Sequence, residues 1–306
     1  MGQRISLWKF GGLTPYTLIR RTYAEINKDD MFGHSAELSY YFLLALFPAL
    51  LFMITILGFM SGPGSELRNQ LMSYMSRAMP SSAADLVGKT LNEVHQNSSA
   101  LKALFGAVAA LWAATGGIDA ISKTLNIAYD LQETRSYVRK KLTSVGLTFG
   151  LAVLIIGALA LIAFGGQIGE LVAAKIGLGG AFTATWKILQ WPVALGAMFL
   201  AFSMIYYFAP NMKDPQWYWI TPGAAVGVVV WIAASVGFSL YLKFFNSYSK
   251  TYGSLGAVII LLMLWFYLTG MAILIGGEVN SEISKADHER QVYERKLERT
   301  ELDAVA

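Results

Sequence analysis

A carboxylate opens the first long apolar run of this chain, and another closes the last. Glu37 is followed by Ser39, Tyr40, Tyr41 and, further along, Pro48. At helical spacing Glu37, Tyr40, Tyr41, Leu44 and Pro48 share one face, half polar and half apolar. Such a face suits a bundle interior or a wet vestibule, and Pro48 frees a backbone carbonyl and predicts a kink. In the closing sequence Gly276-Gly277-Glu278-Val279-Asn280, Glu278 shares a face with Tyr267, Met271 and Leu274. Tyr206, Tyr207 and Pro210 end a fourth apolar run, and Tyr241, Tyr248 and Tyr252 gather around a short connection. There Gly253 and Gly256 of TYGSLG predict a tight reversal of the chain. Ionisable and hydrogen-bonding groups at membrane depth are costly, so they mark places for substrate binding or ion coupling. A plainer reading stays open beside this one. Glu37 stands at the very start of its run, where water can solvate it, and tyrosines at run ends often serve as interfacial anchors.

No catalytic constellation accompanies these residues. His34, His95 and His288 fall in three separate segments, and no His/Asp cluster has metal-ligand spacing. No glycine loop precedes a Lys-Ser/Thr pair, and no serine has a base nearby in sequence. A metal-dependent nuclease needs several His and carboxylates converging on one site. The expectation is a protein that is not an enzyme, binds no cofactor or metal, and carries no ATP-driven pump within this polypeptide. The chain has no cysteine, which removes disulfides and thiol chemistry.

The elements that must hold these residues are membrane spans. Six apolar stretches occupy roughly 36–60, 101–118, 142–164, 186–209, 220–244 and 255–279, each near the length of about 20 residues that crosses a bilayer. The hydrophobic fraction is 55% and the mean hydropathy +0.47, above the ordinary soluble range. A soluble bundle would need polar helix faces, and 147–166 has none. The predicted fold is an all-α integral membrane protein, a six-helix bundle. It has a cytoplasmic N-terminal segment (1–35), a membrane domain (36–284) and a charged cytoplasmic tail without a core of its own (285–306).

Charge sets the orientation. With the N-terminus inside, 16 Lys and Arg fall on the inner side and 5 on the outer. The positive-inside rule then places both termini in the cytoplasm. No cleavable signal peptide is expected, and a bacterial inner membrane fits best. Residues 14–28 predict a surface helix, capped by Thr14 and Pro15, with Tyr16, Ile19, Tyr23 and Ile26 in one apolar stripe. It lies on the membrane or is an ordinary solvated helix. An outer helical hairpin is expected over 61–100, and a smaller helical segment over 165–185. The second span should continue inward with Ile118, Ile121, Leu125 and Tyr129 along one side. The pairs Gly146/Gly150 and Gly223/Gly227 predict close helix packing, either within the bundle or between copies in a homo-oligomer.

Several of these segments together resemble one family. SAELSYYFLLALFPALLF (35–52), NIAYD (126–130), YYFAPN (206–211), YSKTYGSLGAVI (248–259) and GGEVNSEI (276–283) are similar to the YihY/BrkB family of bacterial inner-membrane proteins. The likeness spans about residues 30–284 and adds Asn126, beside Tyr129, to the functional positions. The resemblance implies a polytopic inner-membrane fold. The family has carried the label "ribonuclease BN", which the residue inventory argues against, a virulence label, and a link to lipopolysaccharide precursors. The leading expectation is a transporter or flippase-like handler of an anionic lipid or amphiphile, with membrane lipids as partners and no nucleic acid. A scaffold without transport activity is the alternative.

Overall fold

The computed structural model of the chain describes residues 7–60, 100–176, 180–213, 215, 217–244 and 248–305. The expected outer hairpin over 61–100 lies outside them. Among the described residues a short 3-10 helix (Leu7–Gly12) leads into seven α-helices: α1 (Pro15–Lys28), α2 (Met31–Met60), α3 (Ala100–Ala128), α4 (Tyr137–Ile176), α5 (Gly180–Phe208), α6 (Pro222–Phe244) and α7 (Tyr248–Val305). No strand occurs among the described residues. The chain forms two compact units, one of residues 1–40 with 119–306 and one of 41–118.

Among the described residues four helical segments are long and apolar enough to cross a membrane: Tyr137–Ala158, Ile188–Phe208, Pro222–Phe244 and Gly256–Leu297, with mean hydropathies of 1.8 to 2.6. They bury few of their side chains within the protein. Phe149, Val153, Ile155, Trp191, Val229 and Val236 are among many large apolar groups left exposed. A soluble protein seldom exposes such contiguous apolar surface; lipid is the solvent that accepts it. The third to sixth predicted spans thus fall on these four helices. The first two lie along α2 and α3, which do not add to this count of four.

Within the larger unit, α4 packs on α5, α5 on α6 and α6 on α7. The α6–α7 contact is the tightest. A Cβ on Gly223 would strike the carbonyl of Gly276, and one on Gly276 would strike the carbonyl of Gly223 and the Tyr206 hydroxyl. Gly227 sits 2.7 Å (as a built Cβ) from the Phe202 ring. The Gly223/Gly227 pair therefore serves packing inside the bundle. Gly150 faces the Met204 methyl, while Gly146 has nothing near it.

One expectation needs correction: TYGSLG does not reverse the chain, because α7 begins at Tyr248 and runs through it. In lipid the backbone must satisfy its own hydrogen bonds, which holds glycines in a helix that water would loosen. Before the tail, Val279 and Ile283 form a cluster with Leu18, joined by Leu7, Phe10 and Leu13, and Ala286 and Asp287 at the start of the tail are also buried. Gly11, at φ +61, lets the 3-10 segment touch the Ile283 carbonyl, a conformation and a closeness that only glycine permits. Helix α1 is capped as expected, with Thr14 Oγ1 accepting from the Thr17 amide at 3.2 Å. It turns Leu18, Thr22 and Ile26 towards the protein and leaves Tyr16, Ile19 and Tyr23 of the expected apolar stripe exposed, where a membrane surface could receive them; only Ile26 leaves that stripe.

The glycine contact gives a sharp comparison. Gly276→Ala or Gly223→Ala should destabilise the protein by about 1–3 kcal/mol through overpacking against backbone that cannot yield. Gly146→Ala, in open space, should be neutral or stabilising by a few tenths. Thermal unfolding in detergent measures this, and equal effects at the three positions would refute the tight α6–α7 contact.

Candidate functional site

The start of α6 is buried, and its orphan amides are fully accounted for. Thr221 caps the helix, its Oγ1 accepting from the Ala224 amide at 2.9 Å. Pro222 has no N–H to satisfy. The Gly223 amide donates to Asn280 Oδ1 on α7 at 2.9 Å, and Asn280 Nδ2 donates to Thr221 Oγ1 at 2.9 Å. The Ala225 amide makes the first helical bond to the Thr221 carbonyl. Tyr206, on α5, donates its hydroxyl to the Ile273 carbonyl at 2.8 Å. Ser203, one turn earlier, donates to the Trp219 carbonyl at 2.9 Å.

These contacts wall a cavity of about 100 Å³, lined by Leu7, Tyr129, Ser203, Tyr206, Tyr207, Met212, Tyr218, Thr221, Asn280 and Ser284. Among the described residues its polar side chains are hydroxyls and one amide, with no His, Asp, Glu, Lys or Arg. Burial pushes the Tyr129 phenol above its ordinary range, an effect that a hydrogen bond from Asn280 only partly offsets. The phenol is thus a neutral hydrogen-bonding group at any physiological pH.

Beside the cavity, the segments after α3 and α5 are clamped together. Arg135 grips Glu133 with two bonds, from Nε to Oε1 at 2.8 Å and from Nη2 to Oε2 at 2.7 Å. The same guanidinium reaches Ser122 Oγ at 3.0 Å and the Ala209 carbonyl at 3.0 Å, placing positive charge at the carboxyl end of α5. Asn126 Oδ1 accepts from the Asn211 amide at 2.7 Å, while its Nδ2 donates to Glu133 at 3.2 Å. The Arg135 guanidinium holds the Glu133 carboxyl down to about 2.

Four of the residues singled out in the sequence, Tyr129, Tyr206, Tyr207 and Asn280, meet at the cavity, with Asn126 and buried Pro210 alongside. Glu278 is fully buried nearby. Ser39 is buried too, its hydroxyl donating to the Ala36 carbonyl at 2.8 Å. Glu37 is elsewhere, accepting from Lys123 at 2.8 Å and bonded to His34 at 3.1 Å. Of the face suited to a bundle interior or a wet vestibule, Tyr40 and Leu44 are about half exposed, while Ser35 and Leu38 on another side of α2 are buried. A Cβ on Gly270 would come within 3.2 Å of Leu38 Cβ, so the glycine leaves room for that side chain. Pro48 lies inside α2. Tyr241 lines a separate apolar groove of about 220 Å³ between α6 and α7. The backbone of Tyr248, Tyr252 and Gly253 is in the first turns of α7; their side chains lie outside the described residues. Sequence reasoning passed over Ser203, Thr221, Tyr218 and Ser284, and among these only Thr221, before Pro222, carried a readable signal.

Comparison with known proteins now joins this geometry. Residues 22–301 match the family described as virulence factor BrkB. The chain belongs to that family. A ribonuclease-like protein, YfkH of Bacillus subtilis, is 39% identical over 251 residues, covering 82% of this chain and 89% of its own. Membrane proteins of the UPF0761 group from Alteromonas mediterranea and Vibrio vulnificus are each 28% identical, covering 85% and 89% of this chain and 85% and 84% of their own lengths. No solved structure matches. Family membership and the exposed apolar helices together make this a membrane protein.

The Glu133–Arg135 clamp predicts an acid limb. Because the folded-state value is depressed from an ordinary 4.5 to about 2, its contribution is present above about 4.5 and fades as pH falls towards 2. Solvent reaches much of the carboxylate, so the loss should be about 1 kcal/mol. Glu133→Gln should lower the unfolding temperature at neutral pH and flatten that limb. An unchanged pH profile would show that the clamp contributes nothing to stability.

Proposed function

We propose that this BrkB-family protein is a non-enzymatic transporter or flippase-like handler of an anionic amphiphile in the bacterial inner membrane. The observation that carries the reading is the cavity lined by hydroxyl and amide groups at the polar end of an otherwise lipid-exposed bundle. Such groups, with the hydroxyls of Ser203 and Tyr206 left as acceptors, suit a hydroxylated headgroup. Basic residues at the same end, Arg20 on α1 with Arg139 and Lys140 opening α4, would gather anionic headgroups at about 1 kcal/mol per near-surface charge. A lipid's acyl chains would remain against the exposed apolar flanks of α4–α7. Movement would run down a gradient or couple to an ion.

The ribonuclease-like description of YfkH does not transfer well to this site. RNA cleavage needs an acid–base pair or metal ions, and the cavity wall offers neither. Among the described residues no group of three His, Cys, Asp or Glu could hold a metal ion. A scaffold reading draws on a different fact: about 100 Å³ is smaller than the usual ligand site of roughly 300–1,000 Å³, so the cavity must widen to take a whole headgroup.

Proteoliposomes with a headgroup-labelled anionic lipid test the proposal. The wild type should move the label between leaflets faster than empty vesicles. Ser284→Leu, which fills the cavity without removing any hydrogen bond described above, should cut the rate at least tenfold. Glu37→Gln, at a surface ion pair, should change it less than twofold. Rates equal to empty vesicles across several anionic lipids would leave the scaffold reading ahead, and metal-dependent RNA cleavage by the same preparation would restore the nuclease.

Orientation has its own test. The N-terminal 3-10 helix, α1, the segments after α3 and α5, and the extension of α7 all meet at the cavity end, and we assign that end to the cytoplasm from its excess of Lys and Arg. Cysteines introduced into this cysteine-free chain at Asn97 and Lys175 should react with impermeant maleimide from outside. Cysteines at Arg139 and Lys296 should react only after the membrane is opened. Labelling of all four from outside would reject the assignment.

A further inference from the structure

Glu278 occupies the opposite face of α7 from Asn280 and Ser284, and it is the one fully buried carboxylate among the described residues. Neither of its oxygens has a hydrogen-bond partner. The charged and titratable groups that act on it are Asp29, Lys285, Glu25 and Glu282, with the Tyr129 phenol on α3's end. Three of these four charges are negative. The single cation is engaged elsewhere: Lys285 Nζ lies 2.6 Å from Asp130, 3.5 Å from Glu282 and 3.8 Å from Glu25. Asp29 stands in the turn between α1 and α2 and is only half-buried, yet its Oδ2 is also buried without a partner.

A buried carboxylate with no donor must find a counter-charge, a metal ion or a proton. The only nearby ammonium is shared among three other carboxylates. A metal ion requires several converging ligands, and no such group of acids and histidines exists among the described residues. A proton needs no further ligand, and it turns the carboxyl into a neutral group that the apolar surroundings accept. Asp29, half-buried with one carboxylate oxygen out of solvent and close enough to act on Glu278, offers the exchange route.

We propose that Glu278 is a proton-binding site that loads and unloads through Asp29, and that it couples proton movement to transport. The coupling half rests on the transport reading given above, while the binding half stands apart from it.

Isotope-edited infrared spectra of the full chain in liposomes separate the two. At neutral pH the wild type should show the carbonyl stretch of a protonated carboxyl. Glu282→Gln should keep the band and Glu278→Gln should lose it. Asp29→Asn should keep it but slow its deuterium exchange at least tenfold. Absence of the band in the wild type, or its survival in Glu278→Gln, would overturn the proton site, and unslowed exchange in Asp29→Asn would remove Asp29 from the path. In lipid-movement assays an imposed proton gradient should speed the wild type and leave Glu278→Gln unaffected. A gradient without effect on a moving wild type would overturn the coupling. If the band behaves as expected and no lipid moves, the transport reading falls and the proton site stands.

Discussion

The rest of the structure depends on how the buried start of α6 meets α7. An α-helix begins with amides that have no partner in the helix, and in a membrane protein water is not at hand to satisfy them. Here Pro222 removes one amide, Thr221 takes another, and Asn280 takes the third from across the interface. That third bond requires the two backbones to come nearly into contact, which the glycines at 223 and 276 allow. Any side chain at either glycine would push Asn280 away from the Gly223 amide. The same closeness brings the Tyr206 hydroxyl onto the Ile273 carbonyl. Packing and hydrogen bonding are therefore one constraint, and the cavity is the space left beside it.

Much of the architecture was legible in the sequence, because the bilayer imposes a length and a hydropathy that few other settings demand. The four spans along α4–α7, the cap of α1 at Thr14 and the inward run of α3 with Ile121 and Leu125 buried follow from that reading. What was not legible has physical reasons. In a protein solvated by lipid, a half-polar stripe does not say which way a helix faces, so the burial of Ser35 and Leu38 beside half-exposed Tyr40 shows only in the fold. The stripe of Val279, Ile283 and Ala286 could have been read, although charges follow it closely. Turn-type reasoning applied to TYGSLG used rules from chains in water.

Part of the site was legible for a similar reason. Tyr129, Tyr206, Tyr207 and Asn280 stood out because polar groups near spans are expensive. Ser203 and Ser284 did not, since a serine in a helix can bond back to its own turn and raises no alarm. The Arg135 clamp was missed because its partners Glu133, Ser122 and the Ala209 carbonyl come from three separate stretches of chain. Only the folded arrangement reveals that one guanidinium closes the end of α5.

That clamp and the Asn280 contact act on the two ends of the same connection. Arg135 holds the chain as it leaves α5, and Asn280 with Thr221 holds it as it enters α6. Between them the connection carries Tyr207's ring neighbours, with Trp217 5.1 Å from Tyr207 and 5.8 Å from Trp219 between ring centres. The cavity wall is thus fixed at its edges by strong bonds and filled in its middle by aromatic contacts, which rearrange at lower cost. The wall hydroxyls of Ser203 and Tyr206 already donate to backbone carbonyls, so towards the cavity they present acceptor lone pairs. A guest there must bring donors of its own, as a hydroxylated headgroup does. Any net negative charge it carries is best met outside the cavity, by Arg139, Lys140 and the basic face of α1. On the proposed transport reading the bonding divides the labour: neutral hydroxyls would discriminate inside, and cations would attract at the rim.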